Sequence, residues 1–156
     1  MPQHGRSEGV WEGVYIYTDP EGRELDRHAS RLTHVFPDDA PTFYRQHNHY
    51  EWADGRTEDF HFEFEIDPDR PVLSWRNERS QGLVWEEPLQ IGDLASVRVS
   101  WHRTVIEGYS PFDVPSSMIH ELIQMDKDFR HRGRVWQWFM DGELIGRTQI
   151  KERRVA

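Results

Sequence analysis

Arg45, His47 and His49 alternate along the stretch from Phe43 to Trp52, and their types and spacing could do chemistry. On an extended strand every second side chain shares a face, so all three would point the same way. Arginine offers a planar fork of donors suited to an anionic or carbonyl oxygen. Histidine titrates near neutrality and can give or take a proton. Together they could anchor a small molecule. They could also run acid/base chemistry on it, with His47 or His49 as the catalytic base or acid and Arg45 stabilising an enolate-like oxyanion. A self-satisfied polar network, with Glu121 or Glu152 as counter-charge, is the plainer alternative. His47-x-His49-x-Glu51 also puts three metal-ligand types on one face. Neighbours there stand about 7 Å apart, so chelation would need the side chains to converge, and no metal is expected.

Other chemistries lack their residues. There is no cysteine, hence no disulfide, cysteine-ligated zinc or thiol nucleophile. Gly-x-Ser-x-Gly is absent, and Ser110, Ser116 and Ser117 fall in an irregular stretch. Phosphate loops and dinucleotide fingerprints are absent too. Haem held by one histidine is disfavoured, because the last histidine is His131 and the final strand has none. No cofactor is expected.

Turn signals at Asp19-Pro20-Glu21-Gly22, Asp54-Gly55, Asp67-Pro68-Asp69, Asp126-Lys127-Asp128 and Asp141-Gly142 punctuate runs rich in Val, Ile, Thr and aromatics. The pattern predicts about ten strands, near 10–17, 24–36, 42–52, 57–66, 70–78, 81–87, 94–104, 118–125, 130–140 and 143–154. Ser117 to Met125 could instead be a short helix. The expected fold is all-β: a single antiparallel up-and-down barrel of about 8–10 strands over residues 1–156, with 1–8 flexible. Closure removes exposed edges. The stretch from Val105 to Ser117 is long enough to be a lid or simply a long connection.

Two hairpins set the expected faces. A two-residue Asp54-Gly55 turn pairs His49 with Phe60, His47 with Phe62 and Arg45 with Phe64. That directs Arg45, His47 and His49 into the lumen beside Phe60, Phe62 and Phe64. His61, Glu63 and Glu65 then face water. A two-residue Asp141-Gly142 turn puts Gln137 and Phe139 inside, with Glu152 and His131 near a barrel end, and Arg130, Arg132 and Arg134 outside. Tyr15 and Trp101 are further expected lining residues. Tyr44, Tyr50, Trp52, Trp136 and Trp138 fall on the expected exterior, an unusual load of large rings that suggests a homodimer.

Lys and Arg number 19 against 28 Asp and Glu, a net charge of −9. Nucleic acid and anionic membranes are therefore not expected partners. No apolar run approaches a membrane span, and the start lacks a signal-peptide core, so a cytoplasmic location is expected.

The first strand reads Gly9-Val10-Trp11-Glu12-Gly13-Val14-Tyr15, and the chain ends near Lys151-Glu152-Arg153-Arg154. Gly-x-Trp with a late basic residue resembles the lipocalin-like barrels of the calycin superfamily. The segments Asp128-Phe129-Arg130-His131-Arg132, Trp136-Gln137-Trp138-Phe139 and Asp141-Gly142-Glu143-Leu144 are similar to those of uncharacterised bacterial lipocalin-like domains. The resemblance implies that Trp11 packs across a closed end under Arg154 or Arg153. It also implies an apolar cavity for a small apolar or amphipathic molecule. Some relatives are cofactor-free isomerases, cyclases or lyases, so an enzyme acting in that cavity is the alternative function.

Overall fold

The computed structural model describes residues 8–39, 42–86, 95–104 and 110–156. Ten strands follow in order: β1 (Gly9–Thr18), β2 (Glu24–Val35), β3 (Phe43–Glu51), β4 (Thr57–Ile66) and β5 (Val72–Arg76), then β6 (Ser80–Glu86), β7 (Ala95–Thr104), β8 (Ser116–Met125), β9 (His131–Met140) and β10 (Glu143–Arg154). Each pairs antiparallel with its sequence neighbours, and β1 closes on β10. The barrel is all-β and up-and-down, as the punctuated β-rich runs predict. Ser116–Met125 is a strand, not a helix, because Ser117, Ile119, Glu121 and Met125 alternate inward with a period of two. Of the stretch from Val105 to Ser117, residues 105–109 lie outside the described residues, as do residues 1–7 of the expected flexible start.

The β3–β4 hairpin departs from expectation by one residue. Its loop is Ala53-Asp54-Gly55, closed by Trp52 N–H donating to the Arg56 carbonyl at 2.9 Å and Gly55 N–H to the Trp52 carbonyl at 3.0 Å. Gly55 has φ +89°, and Asp54 does not share the positive φ that a two-residue turn needs. This is the three-residue loop with a glycine bulge. Tyr44 therefore faces Phe64, Gln46 faces Phe62 and Asn48 faces Phe60. A one-residue slip turns every side chain of a strand over. Arg45, His47 and His49 are on the outer face, and Tyr44, Gln46, Asn48 and Tyr50 line the interior.

The β9–β10 hairpin begins as expected. Asp141 (φ 51°) and Gly142 (φ 80°) form the two-residue turn, and Glu143 pairs with Met140. The register then shifts between Leu144 and Gly146, so Thr148 faces Trp136, Ile150 faces Arg134 and Glu152 faces Arg132. A bulge puts two residues opposite one and reverses the partner strand's faces. Trp136, Trp138, Arg132 and Arg134 are buried, whereas His131 and Gln137 are exposed. Phe139 packs from outside against exposed His120, ring centroids 5.7 Å apart. All five rings that suggested a homodimer are inside the barrel, which removes the observation behind that expectation.

One end of the barrel is plugged by fully buried Trp11. The Arg132 guanidinium lies 4.3 Å from its ring centroid and that of Arg154 lies 5.0 Å away, both within cation–π range. Gly55→Ala forces a β-carbon into left-handed backbone and should lower stability by about 1 kcal/mol. Gly55→Asn should cost less, because asparagine tolerates that region. Urea midpoints of the two variants check this.

Candidate functional site

The lumen is walled on one side by β3 and β4. Along β3 a hydrogen-bond ladder runs at every second residue. The Tyr44 hydroxyl donates to Gln46 Oε1 at 3.1 Å, Gln46 Nε2 to Asn48 Oδ1 at 2.7 Å, and Asn48 Nδ2 to the Tyr50 hydroxyl at 3.2 Å. Neutral amides and phenols can satisfy one another in this way, so they are cheaper to bury than the Arg45, His47 and His49 face. Phe60, Phe62 and Phe64 continue the wall on β4. Tyr44 stacks on Phe64 with centroids 4.9 Å apart. Trp75 adjoins Phe64 on the neighbouring strand, centroids 5.3 Å apart, and Trp101, Trp136 and Trp138 form the opposite side, with Trp101 edge-on to Trp136 at 5.1 Å. Trp75 and Trp138 satisfy their indole N–H groups on Ser80 and Thr148. Between the walls lies a cavity of about 120 Å³.

Toward the Trp11 end the lumen is ionic. Arg134 donates to Glu121 at 2.6 Å, to Glu152 at 2.8 Å and to the Tyr15 hydroxyl at 2.9 Å. Arg132 pairs with the other oxygen of Glu152. Two cations against two carboxylates make the group neutral overall, which lets four charges stay inside. Burial alone would raise the Glu152 carboxyl, but the charges of Arg132 and Arg134 outweigh it and hold it below the ordinary range. Burial pushes the Tyr15 phenol well up.

Two further histidines are buried, His34 at this end and His28 farther along β2, beside Trp52 (ring centroids 4.5 Å apart). Arg132 Nη2 donates to His34 Nε2 at 3.1 Å. A guanidinium has no acceptor, so the neutral ring carries its proton on Nδ1. That Nδ1 has no hydrogen-bond partner. Burial, then the neighbouring arginines, hold His34 well below its ordinary pKa. His28 Nδ1 lies 3.0 Å from the Ala29 carbonyl and its Nε2 2.7 Å from the Tyr17 hydroxyl. Burial pushes its pKa down to about 4.

The expected site residues therefore divide. Phe60, Phe62, Phe64 and Trp101 line the cavity. Tyr15 is buried beside it, bonded to Arg134. Gln137 and Phe139 are on the outer face, with Arg45, His47 and His49. There Arg45 pairs with Glu63 at 3.3 Å, and Asp59 holds both His47 (2.8 Å) and His49 (3.0 Å). His47 stacks flat on His61 at 4.4 Å. Among the described residues no group of three histidines or carboxylates is arranged to hold a metal ion. Glu121 and Glu152 do act as counter-charges, but to Arg132 and Arg134. The signal for that pairing was available: two carboxylates at inward positions of β8 and β10 require cations on a neighbouring inner face.

No family model matches the chain, and no curated protein does. Solved structures are similar. Rv2717c from M. tuberculosis superposes with a TM-score of 0.67 over 97% of this chain and 94% of its own, at 12% identity. A presumed lipoprotein from Parabacteroides distasonis gives 0.41 at 10% identity, over 93% of this chain and 94% of its own. A protein of unknown function from the DUF3598 family of Nostoc punctiforme gives 0.30 at 13% identity, over 99% and 98%. The likeness to Rv2717c shows the fold alone. No helix among the described residues is long and apolar enough to cross a membrane.

The buried ionic group and the buried His28 each set a measurable property. Glu152→Gln leaves two buried guanidiniums short of a counter-charge and should destabilise by about 3 kcal/mol or more in urea unfolding. Stability should also fall with acid. Between pH 6.5 and about 4 the unfolded His28 binds a proton that the native ring does not. This contribution is whole above pH 6.5 and shrinks as pH falls toward 4, by about 3 kcal/mol in all. Urea midpoints measured from pH 7.5 to 4.5 should decline, and His28→Gln should flatten the decline.

Proposed function

We propose that the barrel binds a small apolar or amphipathic organic molecule in its lumen, in the manner of a lipocalin-like barrel. The observation that supports this most directly is the cavity itself. Its wall carries ten aromatic side chains, and its size is comparable with the ~150 Å³ apolar cavities that take up a benzene ring. A core built only for stability would close such a space, since each unfilled volume costs packing energy.

Binding is favoured over acid/base turnover by the state of the lumenal groups. Glu121 and Glu152 are both held as acceptors by arginine, and Arg132 occupies the lone pair of His34. His28 has both nitrogens engaged. Among the described residues, no lumenal carboxylate or imidazole is left as a ready base.

Naphthalene is a suitable neutral probe. Saturation-transfer NMR should show it bound to the parent. Val99→Trp should abolish the signal while thermal unfolding stays cooperative, because Val99 lines the cavity and the larger ring fills it. Equal binding by Val99→Trp would place the probe elsewhere and defeat the proposal.

A further inference from the structure

Four tryptophans line the cavity, and their indole N–H groups are not treated alike. Trp75 Nε1 donates to the Ser80 hydroxyl at 3.0 Å and Trp138 Nε1 to the Thr148 hydroxyl at 2.8 Å. The Nε1 atoms of Trp101 and Trp136 are buried and have no hydrogen-bond partner. Trp101 is only 9% exposed and Trp136 only 6%, so bulk water does not stand in for one. His34 Nδ1, on another buried residue of the cavity wall, is in the same position.

A buried donor left without an acceptor costs about 1–3 kcal/mol. Native interiors pair nearly all of them. Here three such donors belong to side chains around one cavity, while two indoles beside them have hydroxyl acceptors. The side-chain acceptors of the lumen are engaged elsewhere: Glu121 by Arg134, Gln46 Oε1 by Tyr44, and Asn48 Oδ1 by Gln46. Trp101 and Trp136 stand edge-on to each other, and an N–H against a ring face is a weak substitute for an acceptor oxygen.

The charged groups favour a neutral ligand. Those near Trp11 cancel among themselves. At the far end Arg79 faces Glu58 at 3.6 Å, with its guanidinium 5.1 Å from the Phe60 centroid, and that of Arg103 lies 5.5 Å from the Trp138 centroid. A neutral molecule enters without disturbing these arrangements, whereas a charged one must be desolvated as well.

We infer that the lumen takes a neutral carbonyl compound, its apolar body among the rings and its oxygen accepting from the unpaired indole N–H groups of Trp101 and Trp136. This rests on the small-molecule reading above and specifies the chemical class of the ligand. Both nitrogens are covered by neighbouring side chains, so the indole turns toward the cavity as the oxygen arrives. His34 Nδ1–H offers a donor to a second oxygen.

The test uses acetophenone and α-methylstyrene, one shape with a carbonyl oxygen in the first and a methylene carbon in the second. Each is titrated into the full chain labelled with nitrogen-15, and the indole N–H signals are followed. Acetophenone should move the proton of Trp101, Trp136 or both downfield relative to α-methylstyrene, as formation of a hydrogen bond does. The Trp75 and Trp138 signals, already bonded to hydroxyls, should respond alike to the two probes. Trp101→Phe or Trp136→Phe, whichever signal moves, keeps a ring and removes the donor. It should weaken acetophenone about fivefold, the effect of one neutral hydrogen bond, and leave α-methylstyrene within about twofold. Should that variant fail to fold, the spectra of the parent decide alone. If acetophenone binds and moves both signals no differently from α-methylstyrene, the inference is overturned. A replacement that weakens both probes equally overturns it too. In those cases naphthalene still binds and the cavity reading stands. If neither probe binds and naphthalene does not, the cavity reading fails with it.

Discussion

The interior of this barrel is organised around Arg132 and Arg134, two neighbouring inward positions of β9 that cannot be buried alone. Glu152 on β10 bridges them and Glu121 on β8 takes a further bond from Arg134. Three adjacent strands are thereby tied to one register. A slip of any one by a residue would bury a cation without its carboxylate, which costs several kcal/mol. The same group supports its surroundings. It holds the Tyr15 hydroxyl, presents Arg132 to Trp11 at the closed end, and fixes the tautomer of His34.

The consequence is a lumen with unlike ends. Near Trp11 the charges cancel and the space is filled. Along the middle, the amide and phenol ladder of β3 faces the tryptophans of β7 and β9. At the far end, two arginines meet the rim of the aromatic wall. This layout separates a structural polar site, whose valences are spent internally, from a cavity bounded mainly by rings. Buried polarity alone does not mark a ligand site.

The strands were legible in the sequence almost residue for residue, because turn residues and β-branched or aromatic runs report local backbone preference. The faces of β4 and β10 were legible as well. Those of β3 and β9 were not, and the reason is the same for both. Asp-Gly between apolar runs predicts a two-residue turn with unbroken pairing, whereas Gly55 makes a bulged three-residue loop and the β9–β10 register shifts at Leu144/Gly146. Each irregularity moves one residue, and a period of two converts that into a complete reversal. Arg45, His47 and His49 belong to that reversed face, on the outside of the barrel. Chemistry could have warned against it: one face of β3 carries Arg45, His47, His49 and Glu51, the other only neutral groups, and the neutral face is the cheaper one to bury. On β9 the opposite held, since burying Trp136 and Trp138 brings Arg132 and Arg134 inside with them. Only the long-range pairing with Glu121 and Glu152 makes that acceptable.

The central claim is that the aromatic lumen is a binding site. The chain has seven tryptophans, four of which line the cavity, whereas Trp11 plugs the closed end. Fluorine NMR of 5-fluorotryptophan-labelled protein, with each signal assigned by single Trp→Phe replacement, reads them separately during titration with naphthalene. Binding in the lumen should give saturable shifts at Trp75, Trp101, Trp136 and Trp138, with Trp11 nearly unmoved. Shifts confined to tryptophans outside the cavity, or none up to the solubility limit of naphthalene, would contradict binding in the lumen.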